Sequence, residues 1–252
     1  MLAGIDRHKN LHNVSFFCWQ SLQQARCSII DVGEVFAFLW MFSVLIILVT
    51  ANCNMPYNNF TLNSVKDAFK LKINDAPFCE SLPSADPAAE IAIVLQEWFP
   101  VAQAARTEKA LSEMLVSPIL LEARRLADKR VQIFSGEEFD VDRDRGLNGF
   151  CDFLFSRSDS RLTIDAPVLM VVEAKRGELE SGLGQCVAEM VAAQIYNQQQ
   201  EQPILVIYGA VTSGKMWQFL KLEGNIVTVD LNTYSVMPVN KILGILKWML
   251  TQ

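Results

Sequence analysis

The 252 residues are 51% hydrophobic with a formal net charge of −6, enough apolar material for a buried core and no strongly basic surface or tail of the kind non-specific nucleic-acid binders carry. The six cysteines form no CxxC pair and no zinc or disulfide spacing, so they read as reduced, intracellular thiols. Both histidines, His8 and His12, lie near the N-terminus, which excludes Ser-His-Asp, Cys-His and His-ligated zinc chemistry from the remainder of the chain.

Residues 1–54 read as an N-terminal extension. Arg7, Lys9 and Arg26 cancel Asp6, Asp31 and Glu34, and segment 1–34 shows no sustained hydrophobic period. Residues 35–53, VFAFLWMFSVLIILVTANC, are uncharged and about long enough to cross a bilayer as a helix. Three readings stand: a membrane anchor, a cleaved signal peptide, which fits worse because Asp31 and Glu34 precede the apolar run, or a translational start at Met55. With Met55 as the start the protein is expected in the cytoplasm; otherwise it is held to a membrane through 35–53.

From Met55 the texture is that of a globular domain, 55–252. Thr61 or Asn63 can cap a short helix, Pro77 to Pro87 reads as a loop, and helices are expected over 88–98 and 107–129, the second kinked at Pro118. Three strand-like runs follow at 131–141, 150–157 and 168–176. The third is continuously apolar until it turns charged, as in a strand buried on both faces whose end emerges at a site. An amphipathic, alanine-rich helix is expected from Leu179 to Gln198, then strands at 204–212, 217–222 and 228–231 and a last helix from near Val239. That order predicts a mixed α/β (α+β) domain with a central mixed sheet flanked by helices.

The informative charges are Glu173 and Lys175 at the end of VLMVV, because charge is costly within a buried strand. Side chains two apart on a strand share a face, so the two stand together, and Asp152 on the preceding strand could face them. Two carboxylates from adjacent strands make a hard oxygen site for Mg²⁺ or Mn²⁺, and a neighbouring lysine can position an attacking water. A surface ion pair at a strand end is the alternative for Glu173 and Lys175. It explains Asp152, set between Cys151 and Phe153, less well.

Asp152 with Glu173-Ala174-Lys175 resembles the core motif of the PD-(D/E)XK nuclease superfamily. The string from LNGFCDF through VEAKRGELESGLGQCVAEM to IYGAVTSGKMWQF is similar to small bacterial members of it, over roughly 55–252. The resemblance implies a restriction-endonuclease-like core and Mg²⁺- or Mn²⁺-dependent hydrolysis of nucleic-acid phosphodiester bonds, DNA ahead of RNA. It implies metal ligation by Asp152, Glu173 and the carbonyl of Ala174, and water activation by Lys175. It adds a catalytic Gln185 on the following helix and an acid on the helix before the strands, for which Glu113 is the best match and Glu108 and Glu122 are rivals. Two positions depart from the pattern: Cys151 replaces a proline, and Glu189 stands where one branch has tyrosine. The rival reading is an inactive nuclease-fold binding or scaffold module. Ser213-Gly214-Lys215 shares the last residues of a P-loop but lacks its earlier glycine and lies in a hairpin, so it is not a nucleotide loop of that kind.

Overall fold

An eight-stranded mixed sheet with helices on both faces organises the described residues. The structure, a computed structural model, describes residues 56–105 and 107–252. The apolar run 35–53 lies outside them, and among the described residues no helix is long and apolar enough to cross a membrane.

Among the described residues, a single helical turn at Tyr57–Asn59 leads into α1 (Leu62–Phe69), whose N-terminus is closed by reciprocal bonds between Thr61 and Ser64. A short strand, β1 (Lys72–Ala76), follows. Three helical pieces come next: α2 (Ala89–Ala105), α3 (Glu108–Leu111) and α4 (Ser117–Leu126), the last two joined by a π turn over Ser112–Val116. Pro118 has no N–H to donate back along the helix, and the wider turn immediately before it absorbs the mismatch that the sequence places as a kink. Helix α2 runs past the expected end near residue 98 and carries Pro100 within it.

Strands β2 (Gln132–Glu138), β3 (Phe150–Ser156) and β4 (Val168–Ala174) form the expected antiparallel meander. Helix α5 (Glu180–Gln199) crosses over the sheet to β5 (Val206–Thr212), which lies parallel to β4. A second meander continues through β6 (Met216–Glu223) and β7 (Ile226–Asp230), with the two-residue β8 (Tyr234–Ser235) paired to β6, and α6 (Asn240–Leu250) follows. The sheet order is β1-β7-β6-β5-β4-β3-β2. Strands β1 and β8 have no counterpart in the sequence reading. The first is a half-exposed, polar KINDA, held by pairing to Ile226–Asp230 and not by a hydrophobic pattern of its own.

Two cores lie on the two faces of the sheet. Leu95, Leu111, Leu115, Ile119, Ile242 and Leu246 from α2, α3, the π turn, α4 and α6 cover one. Val65 of α1 and Leu183, Val187 and Val191 of α5 cover the other. Every residue of β4 is buried, as its unbroken apolar run predicts. Helix α5 departs from the amphipathic expectation: Gly182 through Ala193 are all buried. The sheet takes one side, and the segment entering α1 takes the other. At Gly184 an added Cβ would stand 2.3 Å from the Phe60 carbonyl oxygen.

Candidate active site

Strand pairing assembles the centre of the site. Phe153 lies opposite Val172 and Leu154 opposite Val171; carried one residue further, that register sets Asp152 against Glu173. Asp152 Oδ2 accepts the main-chain N–H of Ala174 at 2.8 Å, which ties the two strand ends together. Lys175 follows directly after β4, and its Nζ stands 2.5 Å from Glu173 Oε1, as the two-residue repeat of a strand requires. Helix α5 comes in at close range. A Cβ added to Gly182 would meet Val211 Cγ1 at 2.7 Å and Lys175 Cγ at 3.0 Å, so any side chain there would displace the lysine.

Gln185, one turn further along α5, joins the groups. Its carbonyl oxygen accepts from Lys175 Nζ at 3.0 Å, and its amide nitrogen donates to Glu173 Oε2 at 2.9 Å and to Glu189 Oε1 at 3.0 Å. An ammonium on one side and two carboxyls on the other leave the amide a single sensible orientation. Glu189 is fully buried, and its Oε2 has no hydrogen-bond partner. That is a costly state for an ionised carboxylate.

Burial is the first cause of each acid's shift. It pushes Glu173 up to about 8, with the Asp152 charge adding to it and the attraction of Lys175 opposing. Asp152 is also raised by burial, in spite of the Ala174 N–H. Burial, then the Glu173 charge, holds Glu189 well above the usual carboxylate range. Burial works against the charge on Lys175, but the Glu173 carboxylate outweighs it and moves the amine upward. One ammonium thus faces more acid than it can balance, which favours either proton uptake or a cation.

The outer wall comes from α3 and the π turn. A cleft of about 290 Å³ is lined by Glu108, Glu113, Ser135, Asp152 and Ala174, among others. Glu113 lies on this cleft but pairs with Lys109 at 2.9 Å and is largely exposed. Glu108 reaches closer to the centre: its Oε2 accepts the N–H of Arg176 at 2.9 Å, and its charge acts on Asp152, Glu173 and Lys175. Glu122 lies elsewhere, buried against Arg125 and the N–H of Ala88. The structure therefore brings together Asp152, Glu173, Ala174, Lys175 and Gln185, keeps Glu113 on the rim and leaves Glu122 out. Sequence reasoning gave Glu189 no part. Its signal was an acid four residues after Gln185 inside an otherwise apolar GLGQCVAEMVAA.

No family model, curated protein or solved structure matches the chain. What the site can do therefore follows from its own donors. Among the described residues no group of three or more His, Cys, Asp or Glu side chains is arranged to hold a metal ion. A cation held by Asp152 and Glu173 would take its other ligands from main-chain carbonyls and water, a pattern that suits Mg²⁺. The two raised carboxyls fit such an ion, because a divalent charge can take the place of the proton that burial makes them hold.

Proposed function

We propose that the protein is a metal-dependent phosphodiesterase with a restriction-endonuclease-like core, acting on nucleic acid, DNA ahead of RNA. The observation that carries this reading is the pair of carboxyls on adjacent strand ends, half-buried Asp152 and buried Glu173, with the Lys175 ammonium 2.5 Å from Glu173. Asp152, Glu173 and the carbonyl of Ala174 would hold Mg²⁺ or Mn²⁺, which supplies charge neutralisation and polarisation at the phosphoryl group when bound. Gln185 fixes the Lys175 head and one Glu173 oxygen together, so the amine and the carboxylate keep a constant mutual geometry beside Asp152 and Ala174, the site residues that line the cleft. Lys175 orients the attacking water, and Glu108 closes the wall beside it. None of these roles needs a histidine.

A second reading has an observation of its own. Both Glu173 oxygens are already engaged, Oε1 by Lys175 and Oε2 by Gln185, as they would be in an inactive binding or scaffold module that keeps the acidic cluster. The deciding experiment is incubation of the protein with single-stranded, duplex and branched DNA and with RNA, in Mg²⁺, in Mn²⁺ and in EDTA. Metal-dependent cleavage that is lost in Asp152→Ala supports the enzyme. Metal binding without cleavage of any substrate supports the module.

A further inference from the structure

Beside the acidic cleft lies a second one of about 310 Å³, bordered by Gln103, Arg176, Gly177, Ser213 and Lys215. Its floor is the β5–β6 hairpin, which is pinned from several directions. Ser213 N–H donates to the Met216 carbonyl and Val236 N–H to the Lys215 carbonyl at 2.7 Å, while Gly214 N–H donates to Thr212 Oγ1. Gly214 has φ +77°, and a Cβ there would meet Leu111 of α3 at 3.0 Å, so the hairpin sits directly against the element that carries Glu108. The same hairpin is tied to the site strand, because Lys175 N–H donates to the Thr212 carbonyl at 2.8 Å.

The Lys215 backbone is thus fixed while its ammonium, like the Arg176 guanidinium, enters no ion pair among the described residues. Arg124 and Arg125, by contrast, are taken up internally: Arg124 bonds Val131 and Gln132, and Arg125 clasps Glu122. Ala174 borders the acidic cleft and Arg176 borders this one. Two residues of chain span at most roughly 7 Å, so the two clefts are neighbours on the scale of adjacent backbone phosphates.

We propose that Arg176, Lys215 and the Ser213 hydroxyl form a phosphate subsite, which holds a backbone phosphate of a nucleic-acid strand next to the one at Asp152 and Glu173. This rests on the phosphodiesterase reading for the identity of the ligand. It gives an acidic protein a local means of holding a polyanion, and it sets the register of the strand at the carboxyls.

The test is fluorescence anisotropy of a fluorescein-labelled DNA oligonucleotide with the full chain, in EDTA and at about 50 mM salt, where neither metal nor cleavage contributes. Lys215→Gln and Arg176→Gln are each expected to weaken binding roughly three- to tenfold and to lower the slope of log K against log salt by about 0.7–0.9. Lys215→Arg should retain both affinity and slope. Absence of binding by the wild type overturns the subsite, and so does a double variant that binds within about twofold of wild type with an unchanged slope. Cleavage in Mg²⁺ is read separately. A protein that binds through Arg176 and Lys215 yet cuts nothing keeps the subsite and loses the enzyme, whereas one that cuts while the double substitution leaves binding unmoved does the reverse.

Discussion

Glu122 on α4 and Glu173 on β4 are both nearly inaccessible, at 2% and 1% exposure, and the fold treats them in opposite ways. Glu122 receives two guanidinium bonds from Arg125 at 2.7 Å and the N–H of Ala88 at 2.6 Å. Arg125 above all draws its pKa down, against burial. Asp230, fully buried at the far end of the same sheet, is likewise provided for, accepting from Cys79 N–H, Asn232 N–H and the Tyr234 hydroxyl. Glu173 has a lysine and an amide but also faces Asp152, and Glu189 beyond the amide has an oxygen with no donor at all. A buried acid whose bonds are complete braces the fold; one set against other acids holds a charge imbalance that a ligand can discharge.

The sharpest test of this contrast is removal of each acid in turn. Asp152→Ala or Glu173→Ala should reduce metal-dependent cleavage on the order of 10³-fold and abolish the rise in melting temperature that millimolar Mg²⁺ or Mn²⁺ gives the wild type. Near pH 8.5, where Glu173 has lost the proton it holds up to about 8, stability without metal should stay level or increase, since one of two repelling groups is gone. Glu122→Ala should do the opposite, costing about 2 kcal/mol in denaturant unfolding and leaving the metal response intact. If Glu173→Ala instead loses stability as Glu122→Ala does, the site acids are structural and the contrast collapses.

Lys175→Ala separates chemistry from metal binding. Hydrolysis should drop about 10²- to 10⁴-fold while the metal-dependent thermal shift survives, because the lysine is not a ligand. Loss of that shift together with activity would place the lysine's role in holding Glu173.

pH gives a smaller, graded effect. Asp152, Glu173 and Glu189 all have folded-state pKa values above their ordinary ones. Between the unfolded and folded values the native protein keeps protons that the unfolded chain has lost, so stability falls as pH rises through that interval. For Glu173 the interval runs from 4.5 to about 8. The metal-free melting temperature should therefore be higher near pH 5.5 than near pH 8.5, and the gain from Mg²⁺ should grow with pH, since the ion competes with protons. A metal-free protein that becomes more stable across that range would mean these acids are ionised in the fold.

The smallest effect is expected at Glu189. Glu189→Gln replaces an acid that burial drives toward its neutral form by an amide of similar shape that can still accept from Gln185, so the melting temperature should hold or rise slightly while its pH dependence flattens. A marked loss of stability would show that Glu189 works as an anion.

The central motif was legible because it is local. Glu173 and Lys175 share a face through the two-residue strand repeat, and the apolar run before them marks β4 as buried. The meander, the crossover helix and the mixed sheet also follow from hydrophobic runs and the turn residues between them. Strand β1 was not legible, because its pairing partner Ile226–Asp230 lies far along the chain and its own composition is polar. Burial of α5 on both sides escaped for a related reason: an alanine- and glycine-rich helix reveals that it can be closely packed, not what will pack against it.

What the sequence determined by itself is therefore the chemistry at the strand end: an acid, a lysine two residues on, and an aspartate on the preceding strand near enough to join them. Only the tertiary structure decided which further groups belong. Glu108, Glu113 and Glu122 are equivalent as helix glutamates: Glu113 and Glu122 find local partners in Lys109 and Arg125 at helical spacing, and it is the path of the helices over the sheet that brings Glu108 to Arg176 and buries Glu122 away from the site. The same holds for Glu189. Helical spacing puts it on one face with Gln185, but its missing hydrogen-bond partner arises from the sheet and the neighbouring helix closing over it, and no local pattern encodes that enclosure.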